Sequence, residues 1–297
     1  MYDVIIIGAG PAGLSAAIYA KRAMLNALVF EDKSVGGQVL STYEIDNYPG
    51  LPGISGMELG DKMNSHALMM KADIVSEEVL EIKNLGNTKE VHTNKAIYET
   101  KNVILATGAT HAKLGLENED ELVGAGVSYC ATCDGAFYKD AVVAVVGGGD
   151  VAVEDAIYLA KVCKKVYLIH RRDELRAAKN LISKLNEFNN IEIIWNSKVI
   201  KLNGEDELES IEIENLKDQK KSTIDLEGLF VAIGIVPQTS LLSDLVDLDE
   251  KGYVIAGEDC VSSVPGIYAT GDIRKKPLRQ IVTAVSDGAN AVNSLLI

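Results

Sequence analysis

Short apolar runs, mostly of β-branched residues, recur along the chain, and two of them end at glycine-rich turns. The sequence DVIII at 3–7 is followed by GAGPAG at 8–13, and VVAVV at 142–146 is followed by GGGD at 147–150. Apolar runs of this length are typical of parallel strands that are buried on both faces. The pattern predicts an α/β fold in which each of these runs is a central strand and each glycine turn opens a helix.

The remaining segments extend this pattern. Residues 84–100 alternate between short polar and apolar pieces, which predicts a small antiparallel sheet inserted in the first fold. Residues 101–108 predict a strand that returns to the main sheet, with Gly108 at its carboxyl end, where such folds bind ligands. The other predicted elements are a helix at 14–22, strands at 166–169, 192–195, 211–214 and 229–232, a helix that runs to about 185, a buried strand at 266–272 and a last helix from 279.

The length of the chain predicts two domains, because 297 residues is the size at which one hydrophobic core stops growing. The polar, glycine-containing segments 109–126 and 237–249 are predicted linkers. Two linkers that bracket one segment indicate an inserted domain, and such a paired connection can act as a swivel. We expect a discontinuous first domain at 1–114 and 242–297 and an inserted second domain at 115–241.

Composition restricts the possible partners. Apolar residues make up 47% of the chain and charged residues 24%, as in ordinary globular proteins. The net charge of −14 would repel phosphate backbones, which argues against nucleic acid and anionic membranes as partners. The chain begins without a basic leader, and no apolar run approaches the roughly 18 residues of a membrane span, so we expect a cytosolic protein.

The first glycine turn has the spacing of a dinucleotide-binding fingerprint. Gly8 permits the tight turn, Gly10 lets a pyrophosphate approach the backbone, and Gly13 lets helix and strand pack closely. Glu31 lies 21 residues after Gly10, where an acid binds the ribose 2′-hydroxyl and would repel a 2′-phosphate. The first dinucleotide is therefore predicted to be FAD or NAD, and the alternative is a solvated Glu31 at a strand end.

The second turn repeats the fingerprint in its G-x-G-x-x-A form, with Gly147, Gly149 and Ala152. Two such units imply two dinucleotides. The residues after the next predicted strand are basic: His170, which lies 21 residues after Gly149, Arg171, Arg172 and Arg176. Guanidinium groups there can bind a 2′-phosphate in bidentate fashion, so the second nucleotide is predicted to be NADP(H). The alternative is a solvated basic turn.

Cys130 and Cys133 form a Cys-x-x-Cys pair shortly before the second turn. In the cytosol thiols are kept reduced, so this pair is predicted to be a catalytic disulfide rather than a structural crosslink. Half a zinc site is the alternative, but Cys163 and Cys260 are isolated and no histidines have ligand spacing, so no metal is expected. Asp134 is the predicted proton donor, because a carboxyl near an anionic sulfur in a poorly solvated site has a raised pKa.

Three further features could contact a flavin. The sequences GGQ at 36–38 and DNYPG at 46–50 combine small residues with amides, although alone they would pass as loops. Asp272, at the end of the predicted strand 266–272, could hold ribityl hydroxyls. The alternative for Asp272 is an ordinary acid in a turn.

Together these motifs resemble the low-molecular-weight, bacterial-type thioredoxin reductases, a group of pyridine nucleotide-disulfide oxidoreductases, along essentially the whole chain. The resemblance is carried by GxGxxG at 8–13, GGQ at 36–38, CATCDG at 130–135, GGGD at 147–150, HRRxxxR at 170–176, GD at 271–272 and RQI at 279–281. It implies two Rossmann-like domains of the three-layer ββα type, with the NADPH domain inserted into the FAD domain. It also implies a homodimer.

The resemblance further implies an activity and a set of site residues. The activity is electron transfer from NADPH through FAD and the Cys130/Cys133 disulfide to thioredoxin, with Cys133 facing the flavin and Cys130 the substrate. The implied FAD-binding residues are Gly8, Gly10, Pro11, Ala12, Gly13, Glu31, Gly37, Gln38, Asn47, Thr107, Gly108, Gly271, Asp272, Arg279, Gln280 and Ile281. The implied NADPH-binding residues are Gly147, Gly149, Asp150, Val151, His170, Arg171, Arg172 and Arg176.

The sequence departs from the family pattern at two places. Family members often carry Ser or Thr where Val151 stands, which predicts the loss of one polar contact to the nucleotide. The chain ends at Ile297, soon after the last predicted helix, which predicts a trimmed tail over the flavin or an altered dimer edge.

Three alternative functions stay open. A related group takes electrons from ferredoxin, but it has degenerate second glycines and no arginine set, and both are intact here. Another NADPH-dependent flavoprotein of this scaffold could reduce a small disulfide, a peroxide-system carrier or oxygen. A flavin redox sensor without turnover is the third.

The positions of the cysteine pair and the second turn predict a movement. They lie about fifteen residues apart in one predicted domain, and each must bring its reacting atoms to roughly 3 to 3.5 Å from the same flavin. We hypothesise that the inserted domain rotates on its linkers and presents the nicotinamide and the disulfide in turn.

Overall fold

The computed structural model describes residues 1–42, 45, 47–242 and 244–297. They form two compact units: the first consists of Met1–Thr110 and Val236–Ile297, and the second of His111–Ile235. The second unit is thus inserted in the chain of the first, and its boundaries fall a few residues before those expected from the linkers. Asp46, in the turn-rich segment that could contact a flavin, lies outside the described residues.

The secondary structure alternates between strands and helices in both units. The strands are β1 (Tyr2–Ile7), β2 (Ala27–Glu31), β3 (Asp73–Ser76), β4 (Val79–Asn84), β5 (Lys89–Thr93), β6 (Ile97–Leu105), β7 (Ala109–His111), β8 (Val127–Ser128), β9 (Val142–Gly147), β10 (Lys165–Ile169), β11 (Ile191–Ile194), β12 (Ser197–Asn203), β13 (Ser210–Asn215), β14 (Lys221–Asp225), β15 (Gly228–Ala232), β16 (Ile235–Pro237) and β17 (Ile267–Ala269). The helices are α1 (Pro11–Arg22), α2 (Gly56–Met69), α3 (Ala131–Asp134), α4 (Asp150–Ala160), α5 (Lys179–Leu185) and α6 (Ile281–Leu296).

The first unit is built on a sheet with the strand order β3-β2-β1-β6-β5-β4, and β17 also pairs with β6. Strand β1 is central and pairs in parallel with β2 and β6. The expected antiparallel segment is present as β4 and β5, but it continues the main sheet instead of standing apart. The reason is the length of β6, which pairs with β5 through residues 97–100 and with β1 through residues 100–105.

Helices α1 and α6 pack against each other on one face of this sheet. Their contact is close because both carry small residues: Ala16 and Ala17 are fully buried on α1, and Ala291 is fully buried on α6. At Gly288 an added Cβ would collide with the carbonyl oxygen of Ala12, so only glycine fits there. This contact fixes the start of α6 relative to the first glycine turn.

The second unit has three layers around the parallel sheet β11-β10-β9-β15-β8. Along β9 the side chains alternate between two cores, as the two-residue period of a strand requires. Val143 and Val145 pack in a core with residues of α4 and α5, whereas Ala144 and Val146 pack in a core with residues of β12 and β13. The antiparallel sheet β12-β13-β14 is therefore the third layer, and the predicted three-layer ββα fold is confirmed.

The expected linker at 109–126 is more ordered than the sequence suggested. Strand β7 pairs with β16, so the two crossings between the units form a two-stranded sheet. After β7 the chain turns around Glu119, which is only 2% exposed. Its carboxylate accepts hydrogen bonds from the amides of Leu114, Gly115 and Leu116. Among the described residues no helix is long and apolar enough to cross a membrane.

Candidate active site

Cys130 and Cys133 form a disulfide at the start of α3 in the second unit. Their Cα atoms are 5.3 Å apart, within the usual range for a disulfide. Cys130 caps the helix, and its Sγ accepts a hydrogen bond from the amide of Cys133 at 3.2 Å. Both residues are half-buried, so the bond is accessible without being fully solvated.

Ser128 links this disulfide to Asp134. Its hydroxyl donates to Oδ2 of Asp134 at 2.6 Å and accepts from the amide of Cys130 at 3.0 Å. Ser128 is buried at the end of β8, so it holds Asp134 in a fixed place on the same turn as the sulfurs. The sequence reading missed Ser128 because a single serine before the cysteines carries no motif.

The two other cysteines are shielded. Cys163 is buried three residues after the end of α4, and burial raises the pKa of its thiol to about 11. Cys260 is buried in the first unit, and burial raises the pKa of its thiol to about 12. Because the thiolate is the reactive form, neither side chain is suited to redox chemistry near neutral pH. Among the described residues no cluster of His, Cys, Asp or Glu could hold a metal ion.

The first glycine turn leaves an open space at the N-terminus of α1. Gly8 has a φ of +102°, and an added Cβ there would collide with the backbone of Ala106. At Gly10, the N-cap of α1, a Cβ would meet no atom closer than 3.9 Å. The atoms at that distance belong to Gly36 and Gly37, so the structure brings the GGQ segment to the mouth of the turn. A helix N-terminus with free space at its cap suits a pyrophosphate.

Glu31 supports the same turn. Its carboxylate accepts hydrogen bonds from the amide of Ala9 at 2.7 Å and from the amide of Lys33 at 3.0 Å. The side chain is half-buried at the end of β2. Glu31 therefore lies beside the first glycine turn and orders it, and its contact with a ribose stays a prediction.

The third candidate contact region of the first unit lies around Asp272. Its Oδ1 is buried and has no hydrogen-bond partner among the described residues, and burial raises the pKa of this carboxyl. The Arg279 guanidinium lies 3.8 Å over the ring of Tyr253 and donates to the carbonyl oxygen of Asp272. A buried acceptor without a partner is costly unless a ligand supplies a donor, so Asp272 fits the predicted contact to FAD hydroxyls.

The predicted loop residues of this unit are held by contacts within the unit. Asn47 Nδ2 donates to Oε1 of Gln280, the N-cap of α6, at 2.9 Å. The hydroxyl of Thr107 donates to the carbonyl oxygen of Gln238 at 2.8 Å. Gly108 follows with a φ of +69°, and an added Cβ there would meet no atom within 4 Å. These contacts bring Asn47 to the start of α6 and fix Thr107 after β6.

The second glycine turn has a different arrangement. A Cβ at Gly149, the N-cap of α4, would meet no atom within 4 Å, whereas a Cβ at Gly148 would collide with the ring of His170. The loop between β10 and α5 is attached to this turn, because Oδ1 of Asp150 accepts a hydrogen bond from the amide of Ala178 at 2.7 Å. The side chain of Val151 is 62% exposed at the start of α4 and offers no polar group.

His170 and the arginines occupy different environments. His170 is 3% exposed, and burial lowers the pKa of its imidazole, so the ring is neutral at pH 7. Arg171, Arg172 and Arg176 are exposed. Among the described residues none of these three guanidinium groups forms an ion pair or a side-chain hydrogen bond. The arginines are thus available to a phosphate, while His170 lies beneath the turn and supports it.

The two glycine turns at helix N-termini, one in each unit, and the adjacent disulfide define a disulfide oxidoreductase with two dinucleotide-binding folds. The family described as pyridine nucleotide-disulphide oxidoreductase matches residues 2–288. The chain belongs to this family and is an oxidoreductase. Membership confirms the predicted use of FAD and NADPH, while the residues that hold each cofactor stay predictions.

Similar proteins narrow the resemblance. The thioredoxin reductase of Listeria innocua is 43% identical over 292 residues, which cover 98% of this chain and 92% of that protein. That of Peptoclostridium acidaminophilum is 42% identical over 98% of this chain and 95% of its own. The crystal structure of Lactococcus lactis thioredoxin reductase has a TM-score of 0.90 at 39% identity, covering 100% of this chain and 98% of that one. The predicted resemblance to thioredoxin reductases is confirmed.

Proposed function

We propose that this protein is a thioredoxin reductase, which moves two electrons from NADPH, through FAD and the Cys130/Cys133 disulfide, to a thioredoxin or thioredoxin-like carrier. The observation that carries the proposal is the half-buried disulfide at the start of α3, in the same unit as a nucleotide turn that is flanked by exposed arginines. The names of the similar proteins support thioredoxin as the carrier.

Each cofactor is assigned to one unit. The first unit would hold FAD, with the pyrophosphate at Gly10, the ribose at Glu31 and the ribityl chain at Asp272. The second would hold NADPH, with the pyrophosphate at Gly149 and the 2′-phosphate at the exposed arginines. The boundaries expected from the sequence, 1–114 with 242–297 and 115–241, belong to this proposal.

The chemistry at the cysteines balances in two exchanges. FAD, when bound, supplies the relay that takes two electrons from NADPH and reduces the disulfide, and two protons complete two thiols. Ionised Cys130 then attacks the carrier disulfide and forms a mixed disulfide. Cys133 attacks Sγ of Cys130, which restores the protein disulfide and releases the carrier as a dithiol. The sum is NADPH, one proton and a carrier disulfide converted to NADP⁺ and a carrier dithiol.

Asp134 would move the proton in this cycle. Its Oδ2 accepts the Ser128 hydroxyl, which fixes the carboxyl on the turn that carries both sulfurs. A positioned carboxyl can give a proton to the leaving thiolate and take it back when the disulfide closes. Ser128 would orient this group rather than react.

The location of both reacting groups in the second unit supports the proposed rotation. One flavin cannot meet the nicotinamide and the disulfide at the same time. Between the two half-reactions, the second unit would therefore rotate on the two chain segments that connect it to the first unit. We also include in the proposal a homodimer, a cytoplasmic location and, from the net charge of −14, the absence of nucleic acid and membrane partners.

The test is an anaerobic titration of the purified yellow protein with NADPH and, separately, NADH. We expect NADPH to bleach the flavin and NADH to do so only at much higher concentration. Oxidised thioredoxin added afterwards should restore the yellow colour, and Cys130→Ser or Cys133→Ser should abolish that step. A colourless protein, or carrier reduction that survives loss of either sulfur, would refute the proposal.

The same experiment separates the alternatives. Bleaching by reduced ferredoxin but not by NADPH would indicate the ferredoxin-dependent group. Reoxidation by a small disulfide, a peroxide-system carrier or oxygen at a rate that thioredoxin does not match would indicate another reductase. A yellow protein inert to NADPH would indicate a sensor.

A further inference from the structure

A cluster of buried charges lies beside the Gly271 and Asp272 turn of the first unit. Arg274 and Asp287 are each 2% exposed, and Lys276 is 9% exposed. Oδ2 of Asp287 accepts from Nε of Arg274 at 3.2 Å and from Nζ of Lys276 at 2.8 Å. Oδ1 of Asp287 accepts from Nη2 of Arg274 at 2.9 Å. One carboxylate thus holds two cations out of water, an arrangement that persists only when its hydrogen bonds are satisfied.

The same carboxylate also holds the backbone of the turn. Oδ2 of Asp287 accepts the amide hydrogen of Gly271 at 2.9 Å. Gly271 has a φ of +73°, a conformation that glycine adopts without strain. Its peptide leads directly into Asp272, so an acid on α6 sets the direction in which the chain enters the proposed flavin site.

Asp272 is fixed on its other side as well. Arg279 donates from Nε to the carbonyl oxygen of Asp272 and from Nη2 to that of Arg274, each at 3.3 Å. The guanidinium of Arg279 is itself held against the ring of Tyr253. With its backbone held on both sides, Asp272 keeps one buried oxygen without a partner among the described residues.

The charges near Asp272 act on its pKa in opposite directions. Burial has the largest effect and raises this pKa, and the charge of Asp287 also raises it, whereas Lys276 and Arg279 lower it; the pKa of Asp272 is raised overall. The contribution of Asp287 to this site is therefore the position of the Gly271 amide, and not a favourable charge on Asp272.

We propose that Asp287 is a positioning residue for FAD. Its carboxylate fixes the Gly271 amide and the two buried cations, and so holds the buried Oδ1 of Asp272 as the acceptor for the ribityl hydroxyls. Asp287 does not touch the cofactor in this scheme. The inference rests on the proposed function in one respect, namely that FAD is the ligand of Asp272.

The test uses the double variant Asp287→Leu with Lys276→Met in the full chain. It removes one negative and one positive charge, so the buried net charge is unchanged. Arg274 keeps its bonds to the carbonyl oxygens of Ala256 and Gly257 and to Glu258. Replacement of a buried ion pair by apolar side chains of similar size is often neutral for folding, so this variant is expected to fold. The single variant Asp287→Asn is measured beside it.

A matched control is Glu77→Gln. Glu77 is also a buried carboxylate of the first unit, but it accepts from the hydroxyls of Thr93 and Tyr98, which belong to the β5 and β6 hairpin. The substitution removes a buried charge from the same unit and leaves the Gly271 turn intact. It therefore reports any general effect of a loosened first unit on flavin binding.

The measurement is the Kd of FAD for apoprotein, from flavin fluorescence, together with the visible spectrum of the reconstituted protein and the thermal midpoint of the apoprotein. We expect both Asp287 variants to raise the Kd at least tenfold, and Glu77→Gln to change it less than twofold. Wild-type affinity in the double variant, or an equal loss in Glu77→Gln, would overturn the inference. If wild-type protein itself binds no FAD, the proposed function fails too, so the two failures are distinguishable.

Discussion

The selectivity for NADPH over NADH should depend on the exposed guanidinium groups of Arg172 and Arg176. A hydrogen bond to a charged group contributes roughly 1.5 to 3 kcal/mol, and 1.4 kcal/mol is about a factor of ten. We expect Arg172→Ala and Arg176→Ala each to raise the KM for NADPH about tenfold or more. The KM for NADH should stay the same, because NADH lacks the 2′-phosphate.

Steady-state kinetics at two salt concentrations would check this expectation. The effect should shrink at high salt, since both arginines are exposed. Arg22→Ala is the matched control, because Arg22 is an exposed arginine on α1 whose ring contact is with Tyr19. An equal rise in the KM for both nucleotides would indicate that the arginines shape the loop rather than bind the phosphate.

Asp134 gives a second prediction at this scale. Asp134→Asn keeps an acceptor for the Ser128 hydroxyl but cannot carry the proton, so disulfide reduction should slow by about 10²- to 10⁴-fold. NADPH binding should be unchanged. Stopped-flow reduction of the carrier, set against an NADPH binding titration, separates the two effects, and Asp140→Asn on the exposed turn that follows serves as the control. Equal loss of both would mean that Asp134 has a structural role.

Individual residues also show where sequence reading ends. The offset of 21 residues from Gly149 predicted the position of His170 along the chain, but it carries no information on depth, and the ring is buried under Gly148. Asp150 was predicted from the GGGD motif, and here its carboxylate holds the amide of Ala178. Asp287 had no signal, since a single acid in an amphipathic helix is ordinary until its buried partners are known.

At the scale of elements, the structure of the turn between β9 and α4 predicts different effects for alanine substitutions at two adjacent glycines. Gly149→Ala should fold normally, because a Cβ there meets open space and the φ of −94° is ordinary for alanine. It should nevertheless weaken NADPH binding, since the added methyl fills the space for the pyrophosphate. Gly148→Ala should instead destabilise the second unit by roughly 1 to 3 kcal/mol, because the Cβ would collide with the His170 ring.

Urea unfolding and NADP⁺ affinity, measured on both variants, would check this pair. The two substitutions add the same methyl group one residue apart, so each is the control for the other. Unfolding free energies that fall equally, or an unchanged NADP⁺ affinity in Gly149→Ala, would contradict the assignment of this turn.

The elements that could be predicted were those with continuous apolar runs or glycine turns. Strands β1, β9 and β15 are mostly buried and were predicted close to their observed bounds. Strand β6 was predicted at 101–108 but consists of Ile97–Leu105, because its first half is largely exposed and lacks a continuous apolar run. Strand β14 was not predicted, because four of its five residues are polar and most of its length is exposed. The linker predicted at 109–126 failed for a related reason, since the order around Glu119 comes from one buried carboxylate that only tertiary structure reveals.

At the scale of the whole molecule, the two units predict two separable unfolding transitions in the apoprotein. A ligand that binds only the native form of one unit raises that transition alone, by about 2.7 kcal/mol at one hundred times its Kd. FAD should therefore raise one midpoint and NADP⁺ the other. Differential scanning calorimetry of the apoprotein with each ligand would check this, and the Arg176→Ala variant should lose only the NADP⁺ shift. A single transition raised by both ligands would contradict the assignment of one cofactor to each unit.

The shielding of Cys163 and Cys260 has a practical consequence for counting electrons. A small alkylating reagent should label no sulfur on the oxidised native chain, two on the chain reduced with NADPH, and four only after reduction in denaturant. The increase from zero to two labels then measures the redox state of the Cys130/Cys133 pair directly, by mass spectrometry, in intact cells as well as in a cuvette. A third label on the native chain would reveal transient opening of one core.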